Sequence, residues 1–284
     1  MLVLAFWNIN DKQLTQELVA LAVDLCGDEA NANDVIICLV EIASINDVHL
    51  VQQLNQRFPH MRWWSKRPEQ GTGFLCLSNS DEMRFDSSAT IAGGWPVKLI
   101  RGEGLNRTWY RLWFVHLAAP LGSTDTVAHQ MGEATPLHNE IKTRELSELG
   151  DNTVVIGDFN MPPFAAAMVS PKGLNAVPCK TVAAKLTRKV AGVKYSFFYN
   201  PMWRFLGDWT ANNQPGTFQM SPRDNSIRWY MIDQVVLRPS LMEAIIPGSL
   251  KVVTNIGGTE LISAGGIINK QISDHLPITL SLDI

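Results

Sequence analysis

Short runs of β-branched and aromatic residues recur along almost the whole chain, with helical patterns between them. Turn residues separate the runs, which is typical of strands in a folded sheet. The predicted strands are Leu2–Asn8, Val35–Glu41, Met61–Trp64, Gly73–Ser78, Thr90–Ile91, Val97–Arg101, Thr108–His116, Thr153–Asp158, Tyr230–Leu237 and Ile278–Leu282. This alternation predicts a mixed α/β fold built around sheets.

The segments between the strands carry apolar residues at helical spacing. They predict helices over Lys12–Cys26, Asn46–Phe58, Asp125–Leu149 and Thr181–Val190, and a break is expected before Pro136 in the third. Some strands alternate strictly between apolar and polar residues, whereas in Thr108–His116 the alternation is blurred, which implies burial on both sides. Two sheets packed face to face with helices outside would account for both patterns.

Bulk composition is that of a globular protein with a sizeable core, since 46% of the 284 residues are hydrophobic and 18% are charged. The longest apolar runs are too short to span a bilayer. The N-terminus reads as a first strand and not as a signal peptide. Four cysteines (Cys26, Cys38, Cys76 and Cys179) are widely spaced and form no CxxC pair. We therefore expect reduced thiols and a cytoplasmic location.

Charge is distributed unevenly along a chain whose net charge is only −3. Residues 161–242 hold ten Lys or Arg and three Asp or Glu, so this part is basic and the remainder is acidic. A solvated helical face would explain a basic stretch. A phosphate-binding surface is the alternative explanation.

Polar side chains with catalytic potential stand at the ends of several predicted strands. Taken singly, each has an ordinary structural explanation, such as a turn-forming Asp or a hydrogen-bonded His. Together they form an ordered series, consisting of Asn8, Glu41, His116, Asp158, Asn160, Asp233, Asp274 and His275. A rigid sheet can hold such groups in fixed geometry, so we expect them to converge on one cation-holding pocket.

The order of these motifs resembles the endonuclease/exonuclease/phosphatase superfamily, which includes pancreatic deoxyribonuclease and the abasic-site endonucleases. The matching motifs are Trp7-Asn8, Glu41, Val115-His116-Leu117, Gly157-Asp158-Phe159-Asn160, Pro215-Gly-Thr-Phe218, Ile232-Asp233 and Ser273-Asp274-His275. One departure is Val40, which precedes Glu41 where the abasic-site enzymes carry a Gln.

The resemblance implies a four-layer α/β sandwich with two mostly antiparallel central sheets flanked by helices. It also implies a single domain over residues 1–284, with a basic and aromatic insertion at about 161–215. Glu41, Asn8 and Asp274 would then hold one Mg²⁺, for which Mn²⁺ is a possible substitute, because these are hard oxygen ligands.

The remaining residues take catalytic roles in the same resemblance. Asp158 would orient or deprotonate the attacking water, and Asn160 would donate its amide to a phosphoryl oxygen. His275, oriented by Asp233, would serve as a base or phosphate clamp. His116 places the chain in the branch with a His at this point, where a general acid contributes about 10²–10⁴ in rate.

These roles predict a Mg²⁺-dependent phosphodiester hydrolase, and a nuclease that cleaves DNA or RNA is the first hypothesis. Cations track phosphates and aromatic rings stack on bases, so Trp203, Phe218, Tyr230 and Lys189 are the predicted substrate-binding residues. A phospholipid head group or an inositol phosphate is the alternative substrate, and a catalytically silent binding module is the third hypothesis. A nucleic acid is the expected partner as substrate, no membrane segment is expected, and protein partners are left unknown.

Overall fold

The computed structural model describes residues 1–27, 33–70, 73–85, 90–102, 107–120, 122–147, 150–207, 214–220 and 227–284. The chain divides into two compact units. The first consists of Met1–Met83, Thr217–Trp229 and Ala244–Ile284. The second consists of Arg84–Gly216 and Tyr230–Glu243. Each unit is built around its own large sheet.

The helices of the described residues are α1 (Thr15–Cys26), α2 (Asp47–Arg57), α3 (Thr126–Ser147), α4 (Ala166–Val169) and α5 (Lys180–Ala183), with 3-10 helices at Pro201–Phe205 and Pro239–Ala244. None of the helices in these ranges combines the length and the apolar character needed to cross a bilayer.

The strands of the first half of the chain are β1 (Leu2–Asn8), β2 (Asp34–Val40), β3 (Trp64–Lys66), β4 (Phe74–Ser78), β5 (Met83–Phe85), β6 (Gly94–Arg101) and β7 (Thr108–His116). The middle of the chain adds β8 (Thr153–Asp158), β9 (Ala176–Val177), β10 (Thr187–Val190), β11 (Val193–Ser196) and β12 (Phe198–Tyr199). The last part adds β13 (Phe218–Gln219), β14 (Trp229–Tyr230), β15 (Asp233–Leu237), β16 (Lys251–Val252), β17 (Asn255–Ile256), β18 (Thr259–Glu260) and β19 (Ile278–Leu282).

The first unit contains a six-stranded sheet in the order β16-β19-β1-β2-β4-β3. Strands β1 and β2 are parallel, and the other neighbours in this sheet are antiparallel. Every residue of β1 is buried, so side chains on both faces of this strand are shielded from water. One face packs on α1 and α2, where Trp7 and Leu39 share a core cluster with Leu18 and Leu50.

The second unit contains a seven-stranded sheet in the order β5-β6-β7-β8-β15-β12-β9. Strands β7 and β8 are parallel, whereas β6 and β15 run antiparallel to their neighbours β7 and β8. Helix α3 packs on this sheet, with Leu137 and Ile141 against Trp113 and Val155 in one core cluster. Two large, mostly antiparallel sheets with helices packed on them confirm the predicted α/β fold class.

Helix α3 runs through Pro136 without ending, so the predicted break at this position is wrong. A proline inside a helix removes one backbone hydrogen bond and costs about 3 kcal/mol. The buried face of α3 includes Ala134, Leu137 and Ile141 on both sides of the proline. Burial of this continuous apolar face offsets the local cost, and tertiary packing therefore decides the length of the helix.

The helix predicted over Thr181–Val190 is also wrong beyond its first turn. Helix α5 ends at Ala183, and Thr187–Val190 forms the strand β10, which pairs antiparallel with β11. Ala191 and Gly192 connect the two strands with φ angles of 47° and 86°. Two left-handed residues in succession suit a tight hairpin turn, which the sequence Val-Ala-Gly-Val supplies.

Three of the four cysteines, Cys26, Cys38 and Cys76, are buried, whereas Cys179 is exposed. Cys38 and Cys76 are partners in the register of β2 and β4. Burial raises the pKa of the Cys26 thiol to about 11 and raises the pKa of the other two thiols further. These side chains therefore behave as small hydrophobic core residues.

His138 is a buried ionisable group on the inner face of α3, with 6% of its surface exposed. Its Nδ1 has no hydrogen-bond partner within the described part of the chain. Burial lowers the pKa of His138 to about 4, and repulsion from Arg238 and Lys142 adds to this effect. The folded protein therefore keeps this imidazole neutral at pH values where an exposed histidine is charged.

This depressed pKa predicts a loss of stability in mild acid. The unfolded chain takes up a proton near pH 6.5 and the folded chain only near pH 4, so the free energy of unfolding falls as the pH drops through this window. We expect His138 to account for a loss of about 2 kcal/mol between pH 7 and pH 5. Urea unfolding at pH 7 and at pH 5 measures this loss of stability. His138→Gln should remove this part of the pH dependence, and an unchanged dependence would contradict the assignment.

Candidate active site

In the first unit, the parallel strands β1 and β2 end side by side, with Asn8 opposite Val40. The next residue, Glu41, has a left-handed backbone with a φ of 53°. The Asn8 side chain is 1% exposed, and its Nδ2 donates a hydrogen bond of 2.9 Å to Oε1 of Glu41. Its Oδ1 accepts a 3.0 Å hydrogen bond from the backbone N–H of Asn10. A buried amide thus holds the Glu41 carboxylate at the end of the sheet.

The conformation of Glu41 is unfavourable for a residue with a side chain, and the surrounding backbone compensates for it. The backbone N–H of Asp11 donates a 2.7 Å hydrogen bond to the Glu41 carbonyl. The Asp11 carboxylate in turn accepts 2.8 Å from the N–H of Ala43. These bonds lock the two chain segments that leave β1 and β2. Strain of this kind commonly occurs at functional sites.

The segment that carries Asp274 and His275 is tied to the end of β1. Ser273 Oγ donates a 2.8 Å hydrogen bond to the carbonyl of Asn8 and accepts a 3.1 Å hydrogen bond from the N–H of His275. The indole N–H of Trp7 donates 3.0 Å to the carbonyl of His275. The Ser-Asp-His motif therefore lies at the same end of the six-stranded sheet as Asn8, and the first unit groups the three predicted metal ligands with His275.

Phe218, one of the predicted substrate-binding residues, packs on the imidazole of His275. The two rings are 4.8 Å apart between centroids and tilted by 45°. A backbone bridge joins the two residues, and the N–H of Leu276 donates 2.8 Å to the carbonyl of Thr217. His275 is 7% exposed. By packing on the ring, Phe218 therefore fixes the plane of the His275 imidazole.

Glu41 also borders a cleft of about 380 Å³ within the first unit. Such a volume falls in the range of small-molecule sites. The residues that line it are Asp11, Glu41, Ile42, Ala43, Arg67, Pro68, Gly73 and Phe74. The cleft is thus lined by the carboxylates of Asp11 and Glu41 and by the guanidinium of Arg67.

In the second unit, His116, Asp158 and Asp233 form a row across three adjacent strands. Asp158, the last residue of β8, is the register partner of His116 in β7 and of Asp233 in β15. His116 Nε2 lies 4.0 Å from Asp158 Oδ2, and carboxylate oxygens of Asp158 and Asp233 approach within 4.8 Å. Both aspartates are almost fully buried. Buried carboxylates this close need opposite charge nearby, which a bound cation would supply.

Asn160 completes the row through a tight turn after β8. Its backbone has a φ of 50°, and its N–H donates 2.8 Å to Oδ1 of Asp158. Its Nδ2 donates 2.8 Å to the carbonyl of Leu117. Phe159 is buried between them, and its N–H donates 2.9 Å to the carbonyl of Ile232. The acid and the amide therefore face the site while the intervening Phe anchors the turn.

Gly157 allows the strands to approach at this point. A Cβ there would overlap the carbonyl oxygen of Val115 in the neighbouring strand β7. Any larger residue would push apart the two strands that position His116 and Asp158. Each residue of the Gly-Asp-Phe-Asn motif thus has a distinct structural role.

Gln234 is a supporting residue that sequence reasoning missed. It is fully buried, and its Nε2 donates 2.7 Å to the carbonyl of Met161. Its Oε1 accepts a 2.8 Å hydrogen bond from Nδ2 of Asn200, and Oδ1 of Asn200 accepts a 2.9 Å hydrogen bond from the N–H of Met202. The pair holds the segment after Asn160 and the 3-10 helix that carries Trp203. The signal available in the sequence was an amide side chain directly after Asp233 in an otherwise apolar strand.

The other predicted substrate-binding residues belong to the second unit. Trp203 packs edge-on against Phe164 at 6.4 Å, and Phe164 is 56% exposed. Tyr230 is half-buried at the end of β14. Lys189 is exposed on β10, and no hydrogen bond or ion pair within the described ranges joins it to the row of His116, Asp158 and Asp233.

The sequence matches no protein-family model and no curated protein. Solved structures, in contrast, resemble the chain over nearly its whole length. An endonuclease/exonuclease/phosphatase family protein from Bacteroides thetaiotaomicron is 12% identical with a TM-score of 0.50, over 99% of this chain and 97% of that one. The 3′ phosphatase NExo from Neisseria, bound to a product DNA hairpin, is 16% identical with a TM-score of 0.51, over 100% of both chains.

A third structure is the inositol polyphosphate 5-phosphatase domain of SPsynaptojanin in complex with inositol (1,4)-bisphosphate and calcium. It is 15% identical with a TM-score of 0.54, over 99% of this chain and 83% of that one. At these identities the likeness concerns the fold. The chain has the fold of the endonuclease/exonuclease/phosphatase superfamily, as the order of its motifs predicted.

Proposed function

We propose that this protein is a divalent-metal-dependent phosphoester hydrolase, with a nucleic acid as the favoured substrate. The observation that carries the proposal is the row of His116, Asp158 and Asp233 on three adjacent strands, followed by the turn at Asn160. This row brings acids, an imidazole and an amide to one end of a rigid sheet. Hydrolysis of a phosphoester needs groups of these types to activate water and stabilise charge.

The donor set of the first unit fits a hard cation such as Mg²⁺ or Mn²⁺. Glu41 and Asp274 offer carboxylate oxygens, and Asn8 offers an amide oxygen while its Nδ2 holds Glu41 in place. These ligand types suit Mg²⁺, which prefers oxygen and keeps several waters. When bound there, the cation would neutralise charge on the phosphoryl oxygens. We therefore assign Glu41, Asp274 and Asn8 as the residues that would bind the metal ion.

The second unit is assigned the groups that act on water and on the leaving oxygen. Asp158 orients or deprotonates the attacking water. Asn160 uses one amide hydrogen on Leu117, which leaves the other for a phosphoryl oxygen. His116 lies 4.0 Å from Asp158 and is the proposed general acid. Asp233 and His275 keep the roles that the resemblance implies. Asp233 is the carboxylate that orients an imidazole, and His275 is the imidazole that binds the phosphate.

A nucleic acid is the favoured substrate because the second unit combines rings and cations in the segment that follows Asp158. Trp203 and Phe164 form an aromatic pair, and Lys189 belongs to a basic exposed hairpin. We propose Trp203, Phe218, Tyr230 and Lys189 as substrate contacts. NExo, whose fold is similar, is bound to a product DNA hairpin.

A small phosphoester such as an inositol phosphate or a phospholipid head group is the second candidate. The cleft of about 380 Å³ beside Glu41 and Arg67 favours it, because a guanidinium binds phosphate well and the volume suits a compact ligand. The inositol polyphosphate 5-phosphatase domain of SPsynaptojanin has a similar fold. Both candidates require the same hydrolytic chemistry.

A metal-dependent activity panel tests the proposal and separates the two candidates. The protein is incubated with labelled single-stranded DNA, duplex DNA, RNA, sphingomyelin and inositol polyphosphates, in Mg²⁺ or in EDTA. We expect cleavage of a nucleic acid in Mg²⁺, none in EDTA, and recovery on adding excess Mg²⁺ or Mn²⁺. Phosphate release from inositol polyphosphates alone, or phosphocholine release alone, would move the assignment to the second candidate. No hydrolysis of any substrate would overturn the proposed function.

A further inference from the structure

The hairpin of β10 and β11 presents one face that is polar and positively charged. Lys189 pairs with Lys194, and Thr187 pairs with Ser196, in the antiparallel register of the two strands. Successive side chains of a strand point to opposite faces, so these four residues share one face, here named the cationic face. All four are exposed.

No acidic residue balances this charge in the surrounding sequence. Residues 161–207 contain seven Lys or Arg and not a single Asp or Glu. Neither Lys189 nor Lys194 forms an ion pair in the parts of the chain that the structure describes. Two like charges directly opposite each other on a sheet destabilise the pair. An anionic ligand on the cationic face would convert this repulsion into a favourable interaction.

The base of the hairpin is held firmly, so the cationic face is ordered before any ligand binds. Asn175 Nδ2 donates 2.9 Å to the carbonyl of Ser196 and 3.3 Å to that of Tyr195. Arg188, on the opposite face, donates 2.7 Å to the carbonyl of Val169 at the end of α4. A preorganised surface loses little conformational entropy on binding. The hairpin is thus anchored to the segment that follows Asn160 in the chain.

We infer that the cationic face binds the phosphate backbone of a nucleic acid strand, as an interaction surface additional to the residues that hydrolyse the phosphoester. This inference rests on the proposed function for its choice of substrate. Ammonium and hydroxyl groups are the donors that contact phosphates in such complexes. Paired cations along a ribbon suit a polymer that carries one charge per nucleotide, and neutralising those phosphates releases counterions.

A nucleic acid fits this face better than a lipid surface does. The four side chains of the cationic face are all polar, whereas the exposed apolar residues of the hairpin, Val190 and Val193, belong to the opposite face. Membrane-binding segments place apolar side chains beside their cations so that both enter the interface. A contact to phosphates through Lys189, Lys194 and the hydroxyls needs no apolar burial.

Fluorescence anisotropy with a labelled oligonucleotide in EDTA tests the inference, because binding is then measured without hydrolysis. We expect Lys189→Ala/Lys194→Ala to weaken binding by about 3- to 30-fold at low salt. The dependence of log K on log salt should become shallower by about 1 for each lysine removed. Lys189→Arg/Lys194→Arg should retain binding, since it keeps both charges.

The matched control is Lys142→Ala/Lys251→Ala, which removes two exposed lysines from other elements and changes the net charge equally. Its affinity and salt slope should equal those of the wild-type protein. An equal loss in the control and in the hairpin variant would overturn the inference, because net charge would then explain it. Thermal melting verifies that each variant folds, and Lys189→Gln/Lys194→Gln provides the same readout if the alanine pair unfolds.

Two further outcomes separate this inference from the proposed function. Hydrolysis of a nucleic acid together with unchanged binding by the hairpin variant would overturn the inference and the assignment of Lys189 as a substrate contact, while the proposed hydrolytic activity would stand. Lysine-dependent binding without hydrolysis of any phosphoester would support the inference and overturn the proposed function.

Lysine-dependent binding to vesicles of phosphatidylserine and phosphatidylcholine, with no binding to oligonucleotides, would overturn the inference in favour of a lipid surface.

Discussion

Asp158→Asn is expected to lower kcat/KM for the phosphoester substrate by about 10²–10⁴-fold while the protein remains folded. The Asn side chain keeps an oxygen that can accept the 2.8 Å hydrogen bond from the N–H of Asn160, so the turn persists. The negative charge and the basicity that act on water are lost. Steady-state kinetics with the best substrate of the activity panel, together with thermal melting, measure both effects.

Asp151→Asn is the matched control, because Asp151 is exposed and lies just before the same strand. It should leave kcat/KM unchanged. Asp158→Ala should be as inactive as Asp158→Asn but less stable, since alanine cannot accept the hydrogen bond from Asn160. Activity of Asp158→Asn close to that of the wild-type protein would show that Asp158 has no catalytic role.

A double-mutant comparison asks whether Glu41 and Asp158 act in one reaction. Glu41→Gln removes the charge of the proposed cation ligand, and Asp158→Asn removes the charge that acts on water. Residues that act as a unit in catalysis show strongly non-additive losses. The double variant should therefore be only slightly less active than the worse single variant. Fully additive losses would contradict joint action.

Arg238→Met is expected to lower the free energy of unfolding by about 3–5 kcal/mol. Arg238 is 2% exposed, and its Nε and Nη2 each donate 2.8 Å to the carboxylate of Glu145. Its Nη1 donates 2.9 Å to the carbonyl of Phe197, and the guanidinium lies 3.7 Å from the ring centroid of Phe198. Removing the arginine would leave the Glu145 carboxylate without its charge partner, and urea unfolding measures the cost.

The control for this prediction is the double variant Arg238→Met/Glu145→Leu. Replacing both members of a buried ion pair by apolar residues is often neutral or stabilising, so it should recover much of the loss. Recovery would show that the cost comes from the uncompensated charge, and a double variant as unstable as the single one would refute this explanation.

The Arg238 network is expected to affect stability more than catalysis. Arg238 follows β15, and its N–H donates 2.9 Å to the carbonyl of Thr153 at the start of β8. Asp158 and Asp233 stand at the other ends of these two strands, about five residues or 16 Å away. Below the melting temperature of Arg238→Met, its kcat/KM should therefore stay near the wild-type value.

Prediction from the sequence was most successful where one strand carried its own signals. The β-branched run Thr153–Asp158 and the aromatic run Thr108–His116 have the bounds that were predicted for them. Prediction failed at Pro136 and over Thr187–Val190. In both cases, the outcome depends on what the segment packs against or pairs with, which local pattern does not contain.

The supporting residues show the same limit. Ser273 and Trp7 lie inside predicted motifs, but their bonds to Asn8 and His275 join residues that are distant in the chain. Gln234 reaches Met161 from another strand. Their importance comes from tertiary hydrogen bonds, for which one sequence offers no periodicity or spacing.

By itself, the sequence determined the fold class and the identity of the groups at the strand ends, because strand propensity, turn residues and motif order are local or ordered properties of the chain. Only the tertiary structure decided which of those groups are neighbours. Asp158 lies between His116 and Asp233 because the strand order of the second sheet is β7-β8-β15. Strand order results from long-range hydrogen bonding and burial, and these link residues that a linear sequence leaves far apart.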